Sequence, residues 1–144
     1  MHVLADYVAC KWRYSLFATL IVKIEGVNVQ IQRTDGLWYW AEYSTFSISD
    51  EAGKYMLTAD GYSGDAGDAL VHADRAAWVA SGKPFSTYDN DNDEAGVNCA
   101  NTHSSGWWFG QCSTNVLNVD VHAIWVTDSP QYDVQHSRML LKLD

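Results

Sequence analysis

Asp89-Asn90-Asp91-Asn92-Asp93-Glu94 is the densest run of side-chain oxygens in the chain. Alternate positions of a tight loop can turn their oxygens toward one point, and Ca²⁺ takes about 6–8 such oxygens at about 2.3–2.6 Å. The run is not an EF-hand loop. Its sixth position is Glu94 rather than Gly, and its twelfth is Ala100 rather than a bidentate Glu. It reads either as a calcium-type loop of another design or as a solvated acidic turn. Just downstream, Cys99 and Cys112 enclose 14 residues counting both ends. In an oxidising compartment they could form a disulfide, worth roughly 3 kcal/mol in the chain-entropy model. Cys10 stands far away and makes the count odd. Trp107-Trp108-Phe109 lies between the near pair. Three adjacent rings are not expected to share one core, so at least one should line a surface concavity. For any single ring, ordinary packing is the simpler reading.

Other chemistries lack their residues. Ser63 sits in Gly61-Tyr62-Ser63-Gly64, but the next residue is Asp65, so no G-x-S-x-G elbow is present. His72, His103, His122 and His136 form no H-E-x-x-H and no helical metal pair. The absence of these motifs argues against a hydrolase. Nine Lys and Arg against 18 Asp and Glu give a formal charge of −9. Phosphate contacts need cations, so nucleic acid is not an expected partner. The 144 residues, 47% apolar, suit one packed domain, or one domain with a small satellite. The longest uncharged run near the N-terminus, Tyr14–Val22, has nine residues. A spanning helix needs roughly 20, so no membrane span is expected. Met1–Ala9 does not read as a signal peptide, because Lys11 and Arg13 follow the first apolar run rather than precede it.

The elements that position the acidic loop read mainly as strands. Val27, Val29 and Ile31 alternate with Asn28, Gln30 and Gln32, the period of a half-buried strand. Leu20, Val22 and Ile24 suggest a strand before it, with Gly26 as the turn between the two. Thr34-Asp35-Gly36 reads as a further turn, and Leu37–Ile48 as a strand broken by Asp50-Glu51-Ala52-Gly53. Lys54–Ala59 resumes extended structure, and Gly61–Asp68 reads as a loop. The spacing predicts a short helix over Asp68–Ser81, capped by Asp68 and stopped by Gly82. Phe85–Cys112 has almost no periodicity, which in a compact domain points to organisation by a ligand, metal or disulfide. Val119–Thr127 and Met139–Leu143 are the last strand candidates.

Phe85-Ser86-Thr87-Tyr88-Asp89-Asn90-Asp91-Asn92-Asp93, Asn98-Cys99-Ala100, Gly106-Trp107-Trp108-Phe109 and Cys112 together resemble the C-terminal fibrinogen-like domain. Ala41–Phe46, Lys54–Thr58 and Gly61–Asp68 extend the likeness, which covers about residues 41–127. It implies an α+β fold: a small antiparallel sheet with a loop-rich, calcium-binding C-terminal subdomain, here truncated. Residues 1–22 would be a divergent N-terminal segment and 23–144 the domain, with 85–144 its calcium-binding and ligand-recognition part. Asn115–Asn118 resembles the family's NLNG-like turn. It is followed almost at once by Ala123-Ile124-Trp125, where family members carry a further pocket-forming stretch.

The resemblance implies a secreted, disulfide-bonded recognition domain that is not an enzyme. Its cofactor would be Ca²⁺, held by the side chains of Asp91 and Asp93 and the carbonyls of Ala95 and Val97. Cys99 and Cys112 would pair. His103, Trp107, Trp108, Phe109 and Ser113 fall where acetyl-binding members place their pocket, although Phe109 lacks a hydroxyl and Ser113 lacks a ring. The implied function is calcium-dependent, lectin-like binding of acetylated carbohydrate, of innate-immune type. The alternative is a protein-binding structural or signalling domain of angiopoietin or tenascin type with the sugar pocket lost.

Overall fold

The computed structural model of the protein describes residues 2–3, 24–72, 77–112, 115–119, 123–126 and 132–144. Among the described residues seven strands form one sheet: β1 (His2–Val3), β2 (Ile24–Arg33), β3 (Trp38–Ile48), β4 (Leu57–Gly64), β5 (Asn115–Val116), β6 (Ala123–Trp125) and β7 (Tyr132–Leu143). The order is β4-β3-β2-β7-β6-β5, with β1 pairing β7, and every pairing is antiparallel. The one helix among the described residues is α1 (Cys99–His103), five residues long. The fold is therefore mostly β rather than the expected α+β.

The alternation in β2 holds. Val27, Val29 and Ile31 are buried, and Asn28, Gln30 and Gln32 take the other face. Gly26, expected as a turn, instead lies within β2 beside a shift of register against β7. A Cβ there would stand 2.5 Å from the Tyr43 carbonyl oxygen of β3, so the glycine serves close strand approach rather than a turn. Of the strand expected before it, Leu20 and Val22 lie outside the described residues, as does Cys10, while Ile24 opens β2.

The helix expected over Asp68–Ser81 is absent from the described part of that stretch. Its polar groups are claimed by the Tyr43 hydroxyl of β3 and by pairs within the stretch that do not form a helical ladder. The Asp68 carboxylate accepts from the Tyr43 hydroxyl at 3.0 Å and from the Val71 N–H at 3.0 Å. The Leu70 N–H donates to the same hydroxyl at 3.2 Å, and the Leu70 carbonyl accepts from Ser81 N–H at 3.0 Å. Burial and the neighbouring Asp68 carboxylate raise the Tyr43 pKa, so the phenol stays protonated and able to donate. Residues 81–83 then cover the edge of β4. Ser81 Oγ bridges the Ala59 N–H and carbonyl at 2.9 Å each, and Gly82 N–H donates to the Leu57 carbonyl at 2.8 Å. An otherwise open sheet edge is thereby closed.

The C-terminal elements also differ from expectation. β7 starts at Tyr132 rather than Met139, and Asn115–Val116 is a strand pairing β6 rather than a turn. The fully buried Trp125 of β6 donates its indole N–H to the Ala66 and Gly67 carbonyls at 3.1 Å, tying this end of the sheet to the loop after β4.

Candidate metal centre and recognition surface

The acidic loop is anchored before it begins. Ser86 is fully buried and pairs with Trp107 through two backbone hydrogen bonds of 2.9 and 3.1 Å. Its hydroxyl accepts from Asn92 N–H at 3.0 Å, while the Asn92 side chain donates to the Phe85 carbonyl at 2.9 Å. Thr87 and Asn90 exchange backbone hydrogen bonds, and Thr87 Oγ1 donates to Asp89 at 2.7 Å. At the far end Glu94 N–H reaches the Gly110 carbonyl at 3.0 Å, and its carboxylate meets Lys83 Nζ at 2.7 Å.

Asp93 is the organising residue. Its Oδ1 accepts from Ala95 N–H and its Oδ2 from Cys99 N–H, both at 2.9 Å. Asp91 Oδ1 accepts from Asp93 N–H at 3.2 Å. Each carboxylate oxygen retains lone-pair capacity. The Ala95 and Val97 carbonyls accept no backbone N–H bond among the described residues. The 3.8 Å contact from Cys99 sulfur to Val97 oxygen involves a bridged sulfur with no proton to give. Two carboxylates and two uncommitted carbonyls are hard oxygen donors, the kind that Ca²⁺ takes. Among the described residues no three His, Cys, Asp or Glu side chains converge, so any ion here depends on main-chain oxygen.

The Cys99–Cys112 disulfide is present, with S–S 2.08 Å and Cα–Cα 4.9 Å. It joins the start of α1 to the end of the aromatic segment. Asn98 caps α1 by accepting the Asn101 N–H at 2.8 Å, and its side-chain amide reaches the Tyr88 carbonyl at 3.3 Å. Gly110 allows the second cysteine to return: a Cβ there would lie 2.2 Å from the Ala77 carbonyl oxygen. Ser86, Asn92 and Asn98 had no role assigned from sequence. Only Asn98, a cap-type residue ahead of a short apolar pair, carried a readable signal.

The expectation that one of the three rings faces a surface concavity is overturned. Trp107, Trp108 and Phe109 are all buried, at 3%, 8% and 0% exposure. They leave an irregular backbone in different directions. Trp107 donates to Asn115 Oδ1 at 2.9 Å, and Trp108 donates to the Tyr55 carbonyl at 2.8 Å. Phe109 stacks on His103, with centroids 5.5 Å apart and planes at 15°. The structure thus brings His103 and Phe109 together and seats the tryptophans in packing. Ser113 lies outside the described residues.

Burial lowers the His103 pKa below its ordinary value. Below the ordinary value the unfolded protein then binds the proton more readily than the folded one, so this residue's contribution falls as pH drops through the window beneath about 6.5. His103→Gln is expected to reduce the fall in thermal midpoint between pH 7 and pH 5. An unchanged pH dependence in melting curves would contradict this.

The protein matches the family of "Fibrinogen beta and gamma chains, C-terminal globular domain" over residues 18–132. It is 39% identical over 95 residues to fibrinogen-like protein A of Apostichopus parvimensis, covering 64% of this chain and 31% of that protein. It is 42% identical over 80 residues to a techylectin-like protein of Phoneutria nigriventer, covering 55% and 33%. Among solved structures it resembles lamprey fibrin D-dimer complexed with the peptide Gly-His-Arg-Pro-amide. There the TM-score is 0.72 and the identity 26%, over 82% of this chain and 44% of that one. The match thus spans about a third of these two curated relatives and under half of that structure. With the sheet, the bridged loop and the acidic run all in place, the protein belongs to the family formed by the C-terminal globular domains of the fibrinogen beta and gamma chains.

Proposed function

We propose that the protein is an extracellular recognition module, not an enzyme, whose ligand surface is organised by Ca²⁺. Asp91 and Asp93 give carboxylates, Ala95 and Val97 give carbonyls, and water completes the shell. The observation that carries the reading is the pair of uncommitted carbonyls in the same loop as a carboxylate already fixed by two N–H donors. So few protein ligands imply weak affinity, about 10⁻⁴–10⁻³ M, the range of extracellular modules. At about 10 mM Ca²⁺ that corresponds to about 1.4–2.7 kcal/mol of linkage stabilisation. The thermal midpoint is expected to rise by roughly 3–10 °C over a chelator control. No rise in calorimetric melting would remove the metal from the proposal.

The first ligand class is acetylated carbohydrate, supported by the lectin-like name of the techylectin-like relative. Retention on immobilised N-acetylated sugars that is lost with chelator is the expected result. A second reading, a peptide or protein ligand, is favoured by the burial of Trp107, Trp108 and Phe109 and by the stacking of His103 on Phe109. These contacts leave little aromatic wall for a sugar. The lamprey relative is described with a peptide ligand. Pull-down of a protein with no retention on any glycan would decide for this reading. No helix among the described residues is long and apolar enough to cross a membrane.

A further inference from the structure

The outer face of the sheet, opposite Val27, Val29 and Ile31, carries a platform remote in sequence from the acidic loop. Trp38 and Trp40 stand two residues apart on β3, about 7 Å by strand rise. They are 46% and 40% exposed, and neither indole N–H has a partner among the described residues. Register places Gln32 opposite Trp38 and Gln30 opposite Trp40, with Arg138 of β7 beyond Gln30. The Arg138 guanidinium lies 4.9 Å from the Trp38 ring centroid. Its Nε donates to Gln30 Oε1 at 2.6 Å, and Gln30 passes a hydrogen bond of 2.9 Å to Asn28. Stacking and this relay hold the guanidinium in place while its two terminal nitrogens remain unpaired among the described residues. In a sequence with 18 acidic residues against nine basic, this exposed arginine keeps its outer edge free of any carboxylate partner among the described residues.

We propose that this face binds a carboxylate-bearing pyranose, a uronate or sialate unit, at a site independent of calcium. The free edge of the Arg138 fork matches a carboxylate bidentately. The Trp40 ring offers a flat apolar surface to the C–H face of the sugar, and the Trp38 and Trp40 N–H groups can donate to its hydroxyls. Charge complementarity selects the acidic sugar over a neutral one, because the arginine is the cation of the platform. Glu42, which accepts from Asn28 at 3.3 Å, lies beyond Trp40 along the strand and away from the fork.

The test is titration of the protein in chelator, followed by tryptophan fluorescence and calorimetry. Oligogalacturonate and 3′-sialyllactose are the acidic probes; cellotetraose and lactose are the neutral ones. At least one acidic probe is expected to bind and to quench fluorescence, and which of them does so identifies the source. Arg138→Gln and Arg138→Lys are each expected to weaken it about tenfold, the loss of one bidentate charge-assisted contact. Trp40→Ala is expected to weaken it by a similar factor. Both side chains are exposed, and unchanged melting of the variants confirms that they fold. The proposal is overturned if no acidic sugar binds, if neutral sugars bind equally, if the arginine variants bind as well as the parent, or if a poly-glutamate peptide competes at equal charge. Because chelator is present throughout, failure here leaves the calcium reading untouched, and the reverse also holds.

Discussion

Replacing Cys99 and Cys112 together by alanine is expected to lower unfolding free energy by about 3 kcal/mol, the chain-entropy value for a loop of this length. The reason lies in what the bond excludes. The bridged segment contains α1, only five residues long, and an aromatic run with no regular ladder beyond the single Ser86–Trp107 pair. An isolated helix of five residues has no stability of its own. Without the bond, α1 and the aromatic run hold their places only through packing and scattered hydrogen bonds such as Asn98 to Asn101 and Trp107 to Asn115. The loss is expected to be uneven. Amide exchange should accelerate over residues 86–110 far more than in β2 and β7, whose pairing does not involve the bridge. Equal acceleration everywhere would show that the loop and the sheet unfold as one unit. The comparison with reducing agent on the parent protein supplies a second measurement, free of substitution.

What the sequence could reveal tracks how local the cause was. The inward set Val27, Val29 and Ile31 was legible because alternation is a property of neighbours. The acidic run and the cysteine spacing were legible because oxygen density and loop length are likewise written in order along the sequence. Gly26 was misread because its reason, the Tyr43 carbonyl across the ladder, is seventeen positions away in sequence. The helix over Asp68–Ser81 was misread for a related reason. Its cap and periodic residues were real, but the Tyr43 hydroxyl competes for both Asp68 and the Leu70 N–H. The first half of β7 was invisible because Asp133, Gln135, His136 and Arg138 are exposed polar residues that carry no apolar pattern. Its strand character comes from nine paired positions on β2. The aromatic triplet failed because adjacent rings share a core whenever the backbone is irregular enough to turn them apart. That irregularity is set by Ser86 and by the disulfide, not by the triplet.

Substituting Asp93 and Asp91 separates the proposed metal binding from folding. Asp93→Ala is expected to cost about 2–6 kcal/mol in chelator, because it strips the acceptor from two N–H groups, each left unsatisfied at roughly 1–3 kcal/mol. One of those donors is the N–H of Cys99, at the first position of α1, so the helix start and the disulfide anchor loosen together. Asp91→Ala removes one exposed acceptor of a single 3.2 Å bond and is expected to cost less than about 1 kcal/mol. With calcium added, both variants are expected to lose the rise in thermal midpoint, since each removes one of the two carboxylates of the proposed site. The pattern to look for is therefore unequal stability in chelator and equal silence toward calcium. If Asp91→Ala retained the full response, the ion would not be held by this carboxylate pair. If Asp93→Ala melted like the parent in chelator, its carboxylate would lack the structural duty that its two hydrogen bonds imply.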